Sequence, residues 1–355
     1  MMGERTNRVR VVHHTGSPTS EEWADLSRLY GCAALRALRA STGDSFEHVV
    51  ADVSPDGSWR FPTSLEPADL EQAPKLSLTE GLTALADMGA QIAVPQMFCQ
   101  RGLTDHRSLL STLGIASVGN PAAVMAMTID KAITRAVIAA AGVAVPRATL
   151  VRRSDPLPVI DGPVVVKPVD GDNSSGVSLV DDQASLDAAV DRALVSSTAA
   201  LVEEFIPLGR EVRCGTVWHE GALQALPLEE YAVDAVSKPI RGEDDKLARP
   251  DGGDLQLMAK DVEHAWIVAD DDPVVPAVHE VARAAHVALG CRHHGLIDLR
   301  IDPAGRPWFL EAGPYCSFAP ESVVVTMAAA VGIDLGQLFL DAVDIAQRQG
   351  LDFQG

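Results

Sequence analysis

The chain has 355 residues, 47% of them hydrophobic, and a formal net charge of -20. That length fits roughly two to three domains of about 100–200 residues with real cores. The acidic balance argues against nucleic acid or an anionic membrane as a partner, because both call for basic surfaces.

Val9–His13 reads as a first strand, too short and polar-flanked for a signal peptide, so a cytoplasmic protein is expected. Nor does any apolar run approach the roughly 20 residues of a membrane helix. Ser20–Ser41 reads as a helix with Ser20 as N-cap, and Phe46–Val53 as a strand. Thr79–Met88 is helical, Gln91–Pro95 strand-like and Asp105–Leu113 helical. Such alternation implies a parallel α/β sheet, whose ligands sit beyond the carboxyl ends of its strands. The loops His14–Thr19 and Gln96–Thr104 are therefore candidate site segments. Arg101 and His106 are placed to meet an acidic substrate there, or to serve as surface residues and helix caps. The five cysteines, Cys32, Cys99, Cys214, Cys291 and Cys316, are odd in number and form no CxxC pair, which fits a reducing compartment. The pairs His13-His14 and His293-His294 are poor metal sites, since adjacent strand positions face opposite ways.

Turn chemistry at Gly119-Asn120-Pro121 marks a boundary. Asp130-Lys131 then opens a helix over Ala132–Ala141, stopped by Gly142 and Pro146. Val164, Val165 and Val166 read as a buried strand leading into Lys167, with Pro168 and Gly171 ending it. The loop beyond carries Gly171, Asn173, Ser174, Ser175 and Gly176, which present backbone N–H and hydroxyl donors without bulk, as a polyphosphate cover does. It contains neither a P-loop nor a Rossmann fingerprint. Alone, it reads equally well as a surface hairpin.

Its company changes the reading. Ser185–Val195 is helical, Val202–Ile206 follows, and Glu211 comes shortly after. Val274–Leu289 reads as a long helix. Ile297–Asp302 alternates as a half-buried strand, a Pro-Ala-Gly turn follows, and Trp308–Glu311 completes a hairpin. Asp298 and Arg300 share one strand face. If Glu311 faces the same way, two carboxylates converge into an oxygen-donor site for a hard cation such as Mg²⁺.

With these motifs in order, the chain from about Gly119 onward resembles the ATP-grasp superfamily, in its D-alanine–D-alanine ligase-like branch. The resemblance implies an α/β ATP-grasp fold: an N-terminal parallel α/β domain (1–120), a central subdomain (121–200) and a C-terminal subdomain (201–355), the last two α+β and clasping ATP. It implies that Lys131 and Lys167 hold ATP phosphates and that the loop with Asn173, Ser174, Ser175 and Gly176 closes over them. Glu203, Glu204, Phe205 and Ile206 would read the adenine, Glu211 the ribose, and Lys238 would add a cation. Asp298 and Glu311 would hold Mg²⁺, with Mn²⁺ as the alternative ion. Ser322 matches the position that binds the acceptor's carboxylate.

Two departures stand out. The family's metal motif usually ends Glu-x-Asn, but here it is Glu311-Ala312-Gly313. The dipeptide ligases also place an arginine two residues before the metal-binding Asp, where this chain has Leu296; Arg300 is the expected substitute from the same strand face. The stretches HHTGSPTSEEW (13–23), SPDGSWRFP (54–62), PQMFCQRG (95–102), GREVRCG (209–215), PLEEY (227–231), KPIRGEDDKL (238–247), CRHHG (291–295) and PWFLEAGPYCSF (307–318) are similar to the mycosporine-glycine ligases. That closer resemblance implies ATP-dependent joining of mycosporine-glycine to a small amino acid, serine favoured, giving an imino-mycosporine such as shinorine with ADP and phosphate. Small-molecule substrates are the expected partners, and a homodimer is the candidate assembly. The alternatives are a D-Ala-D-Ala-type or other dipeptide ligase, and a non-catalytic ATP-binding module. Changing Lys167 to Ala is expected to abolish ATP turnover with little effect on folding.

Overall fold

The computed structural model describes residues 8–171, 174–234, 237, 239–240 and 265–352. The first layer comprises β1 (Val9–Gly16), α1 (Glu21–Thr42), β2 (Phe46–Val53), β3 (Trp59–Arg60), α2 (Pro67–Gln72), α3 (Leu78–Asp87), β4 (Ile92–Pro95), α4 (Arg107–Thr112) and β5 (Ala116–Ser117). Its strand order is β3-β2-β1-β4-β5, parallel apart from the edge strand β3. Local chemistry sets the helix starts. Ser20 Oγ accepts from the Trp23 N–H, and Ser77 and Glu80 form a reciprocal capping box. A π-helical turn, Gly102–His106, precedes α4 where one continuous helix is expected from the sequence.

The chain continues through α5 (Ala122–Ile129), α6 (Lys131–Ala140), β6 (Ala148–Arg152), β7 (Val164–Pro168), β8 (Ser178–Val180), α7 (Gln183–Ala193) and β9 (Ala199–Glu204). Its four strands form an antiparallel sheet in the order β6-β9-β7-β8. Strand β7 reaches one residue further than its sequence suggests. Pro168 still pairs with Ala200, and β8 stops opposite Val166, so no ladder bond to β8 needs the missing N–H.

A third sheet is built from β10 (Arg210–His219), β11 (Ala222–Tyr231), β12 (Ala265–Ile267), β13 (His294–Ile301) and β14 (Pro307–Ala312), with α8 (Val275–Ala288), α9 (Val323–Ala330) and α10 (Leu335–Asp352). It is antiparallel, in the order β12-β11-β10-β13-β14.

The cores do not follow chain order. Val124 and Ile138, from α5 and α6, are buried with Val212, Val278 and Ile297 of the third sheet and α8. Conversely, Val324 and Phe339, from α9 and α10, are buried with Val11, Leu38 and Val94 of the first layer. Only the core of β7 and α7 is built from the central segment alone. Among the described residues no single helix is long and apolar enough to cross a membrane. The pair α9 and α10 meets that length and composition together, but it is bent by 111° and its apolar residues lie in the core just described. All five cysteines are free thiols.

Candidate active site

A solvent-open cleft lies between the central and third sheets. Val165 and Lys167 of β7, Glu203 and Glu204 of β9, and Ile206 line one wall. Glu211 of β10, Asp298 and Arg300 of β13, and Leu310 and Glu311 of β14 line the other. Ser174 and Val177 close one side. Two antiparallel sheets thus present their charged faces to each other across a space open to solvent.

On the central wall, Lys167 Nζ lies 2.6 Å from Glu203 Oε2, and both side chains are buried. Arg135, on α6, approaches Glu203 from behind at 3.8 Å. Glu204, next along β9, is instead held by Arg147 at 3.0 Å, and this contact leads the causes that keep its carboxyl below the usual range. Lys131 opens α6 behind the N-cap Asp130, whose side chain accepts from the Ile133 N–H. Its ammonium donates to the Gly171 carbonyl and lies 3.7 Å from Glu311. The loop carrying Gly171 is therefore tied to both walls. Gly176 has φ +72°, and an added Cβ would stand 2.9 Å from Pro168 Cγ, so this position needs glycine. Ser174 also adopts positive φ, at 60°.

The opposite wall is a checkerboard of charge. Arg213 and Asp298 are direct cross-strand partners, as are Glu211 and Arg300. Arg213 grips Asp298 with two bonds, Nε to Oδ1 at 2.5 Å and Nη2 to Oδ2 at 3.0 Å. Burial is the largest single influence and works against the Arg213 charge, but Asp298, Tyr231 and Glu311 together outweigh it and hold the guanidinium well above its ordinary range. Asp298 in turn stands opposite Glu311 on β14, and Arg213 opposite Glu229 on β11. The row Glu229, Arg213, Asp298, Glu311 therefore crosses four strands. Arg300 donates to Glu211 at 2.6 Å, to the Ile206 carbonyl at 3.2 Å and to the Pro239 carbonyl at 2.9 Å, and lies over the Phe205 ring at 5.2 Å.

These positions sort the residues expected from sequence. Lys167, Ser174, Glu203, Glu204, Ile206, Glu211, Asp298, Arg300 and Glu311 come together around the one cleft. Arg300 is bound to the residues expected to read the nucleoside, Glu211 and the Phe205-Ile206 backbone, while Arg213 is the arginine on Asp298. Ser322 is the N-cap of α9 and shares a hydrogen bond with Ser317, and neither is among the residues that line the cleft. Asn173 and Lys238 lie outside the described residues. Arg101 is an exposed partner of Asp105, and His106 is buried against His14. Sequence reading missed Arg213 and Arg135. The alternation of Glu211 and Arg213 along β10 was a usable signal for the first. Its partner, 85 residues away, was not legible.

Asp298 and Glu311 supply hard oxygen donors on directly opposed residues, which suits a divalent cation together with phosphate oxygens. Among the described residues no group of three or more His, Cys, Asp or Glu side chains is arranged to hold a metal. Gly313 leaves room beside the pair, since an added Cβ would meet only Tyr315 Cε1, at 3.7 Å.

A family model described as "D-ala D-ala ligase C-terminus" matches residues 157–344. The chain is 30% identical over 246 residues to a D-alanine–D-alanine ligase of Gloeobacter violaceus, covering 67% of this chain and 76% of that protein. Its fold superposes on the D-alanine–D-alanine ligase of Coxiella burnetii with a TM-score of 0.76 at 17% identity, covering 98% of this chain and 97% of that one. The VanG D-Ala:D-Ser ligase of Enterococcus faecalis gives 0.74 at 18% identity, over 96% and 100%.

Proposed function

Because this chain belongs to the D-alanine–D-alanine ligase family of ATP-grasp enzymes and is an ATP-dependent carbon–nitrogen ligase, we propose that it joins two small amino acids in a D-Ala-D-Ala-type reaction. The observation that carries this reading is the cleft itself. Two cations stand on the central side, Lys167 in the cleft wall and Lys131 within 3.7 Å of Glu311, and an opposed carboxylate pair stands on the other. The relatives' names, D-alanine–D-alanine and D-Ala:D-Ser ligase, support small amino acids as both substrates.

In this reading ATP lies between the two sheets. The adenine meets Glu203, Glu204 and the backbone at Phe205 and Ile206, and Glu211 bonds the ribose. Lys131 and Lys167 neutralise the phosphates, and the loop from Asn173 to Gly176 closes over them. Asp298 and Glu311 would hold Mg²⁺, or Mn²⁺ in its place, which when bound supplies further neutralisation of phosphate charge. A substrate carboxylate oxygen attacks the γ-phosphorus and ADP leaves. The amine of the second amino acid then attacks the activated carbon. The C–O bond breaks and phosphate departs with the amine's proton. Positioning and electrostatics carry this chemistry, and closure of the loop protects the phosphorylated intermediate from water. Ser322 anchors the acceptor's carboxylate. A cytoplasmic enzyme, assembled as a homodimer, completes the reading.

A second reading keeps the same site and changes the activated substrate. The oxygen phosphorylated is the ring carbonyl of mycosporine-glycine, and the amine belongs to serine or another small amino acid. Leu296 and Gly313, in the positions of the dipeptide ligases' arginine and asparagine, favour it. Phosphate release with ATP, Mg²⁺, amino acids and mycosporine-glycine, omitting one component at a time, separates the two. Turnover with amino acids alone supports the dipeptide reading. An absolute requirement for mycosporine-glycine, with a new ultraviolet-absorbing product, replaces it with the second. ATP binding without turnover in any mixture would refute both and leave a binding module.

A further inference from the structure

Each charged group on the third sheet's cleft face has a partner, but the two arginines are not equivalent. Arg300 is spent on the nucleoside end. Its Nη1 and Nη2 serve the Ile206 and Pro239 carbonyls and Glu211, and its side chain is 4% exposed. Among the described residues the Arg213 guanidinium hydrogen-bonds Asp298 alone, through Nε and Nη2. Its guanidinium lies 5.5 Å from the centre of the Tyr231 ring, and that tyrosine's hydroxyl donates to Glu229. Arg213 is thus oriented from one side by a carboxylate and packed from the other by an aromatic ring. Its Nη1 edge takes no part in the grip on Asp298, the cleft-lining carboxylate opposite Glu311.

We propose that Arg213 is a catalytic residue of this ligase, the guanidinium that faces the phosphoryl group as it passes from ATP to the substrate oxygen. The proposal rests on the ligase reading above. A planar guanidinium is suited to oxygens that gain charge during phosphoryl transfer, and a fixed one needs no reorganisation as that charge grows. Leu296, two residues before Asp298, is a buried core residue and offers no charge. Arg213 reaches the same carboxylate from the neighbouring strand β10, directly opposite Asp298. The step itself is unchanged. The substrate oxygen forms its bond to the γ-phosphorus as the bond to ADP breaks, and Arg213 neither gains nor loses a proton.

The experiment compares Arg213→Ala, Arg213→Lys and Arg300→Met with the unaltered chain. Turnover, nucleotide affinity by calorimetry and melting temperature are read for each. Arg213→Ala is expected to lower kcat by roughly 100- to 1,000-fold, the range for losing one preorganised donor, while ATP affinity changes less than about threefold. Added methylguanidinium should restore at least tenfold of the lost rate to Arg213→Ala and none to Arg300→Met. Arg300→Met should instead weaken ATP binding. Arg213→Lys keeps a charge for Asp298 and guards against misfolding of the alanine variant. A Lys variant that melts normally yet loses at least tenfold in kcat supports the proposal. Near-normal kcat in Arg213→Ala or Arg213→Lys overturns it. So does a loss in Arg213→Ala that methylguanidinium leaves untouched while the melting temperature falls, since that marks a structural role. Absence of turnover by the unaltered chain would refute the ligase reading itself, and the proposal with it.

Discussion

On the cleft walls, buried carboxylates lie against cations: Glu203 against Lys167, Asp298 against Arg213, Glu211 against Arg300. In the N-terminal layer, imidazole meets imidazole. His13 Nε2 and His48 Nδ1 are 3.0 Å apart, and His14 Nε2 and His106 Nδ1 2.8 Å, with Trp59 stacked on His14. Opposite charges offset each other's loss of hydration where water is scarce. Two imidazoles cannot, and burial, the leading cause at all four histidines, pushes their pKa values down and leaves them neutral. The first arrangement sets charge against charge; the second fills a core with neutral imidazoles that meet through one ring nitrogen each, while Nδ1 of His13 and of His14 takes no hydrogen bond among the described residues.

The sharpest way to break the first arrangement is at Lys167. Lys167→Ala should reduce ATP turnover by more than about 1,000-fold, read by phosphate release. The sequence alone suggested little effect on folding, but the partner of Lys167 is buried. Stranding the Glu203 carboxylate should cost about 3–5 kcal/mol, read by denaturant unfolding. Adding Glu203→Gln should return most of that stability and none of the turnover. Full stability in the single variant would show that Arg135 suffices as a partner for Glu203.

The second arrangement is tested with acid. The pKa values of His48 and His106 are lowered from 6.5 to about 4 in the folded protein. Below 6.5 the unfolded chain therefore takes up protons that the folded chain refuses. The stability these residues contribute is complete above about 6.5 and is lost as pH falls towards 4. The loss should be at most about 3 kcal/mol for His106 and less for His48, whose partial exposure lets solvent screen its charge, read from urea midpoints across that window. A flat profile there would show that the imidazole pairs already carry a proton in the fold.

Gly176→Ala probes the loop between the two walls. Positive φ and the contact with Pro168 should cost about 1–2 kcal/mol and raise the KM for ATP. The smallest effect is expected at Gly313→Asn. The space beside Tyr315 should accept the side chain with stability unchanged within about 0.5 kcal/mol. The added oxygen donor should lower the Mg²⁺ concentration needed for half-maximal turnover.

Much of this was legible in the chain. Phe46–Val53 is a strand with the bounds its pattern suggests, and the capped helices α1, α3 and α6 start within a residue or two of their signals. Period-two alternation correctly placed Asp298 and Arg300 on one face, and the short Pro-Ala-Gly turn brought Glu311 opposite Asp298. Such features depend on neighbours a few residues apart, so spacing and turn chemistry suffice. Arg300 was the limit of that reasoning. Its strand face is a local property, but its partners, Glu211 and the Ile206 and Pro239 carbonyls, arrive from elsewhere in the chain.

The sequence by itself therefore determined about half of the elements, the family and the residue types able to meet a nucleotide. Only the tertiary structure decided which cation belongs to which carboxylate. It also decided that α5 and α6 pack with the third sheet and that α9 and α10 pack with the first. The reason is physical: a capping bond or a strand face is fixed by chain geometry within a few residues, whereas an ion pair or a shared core is fixed by registers between strands and helices far apart in the chain.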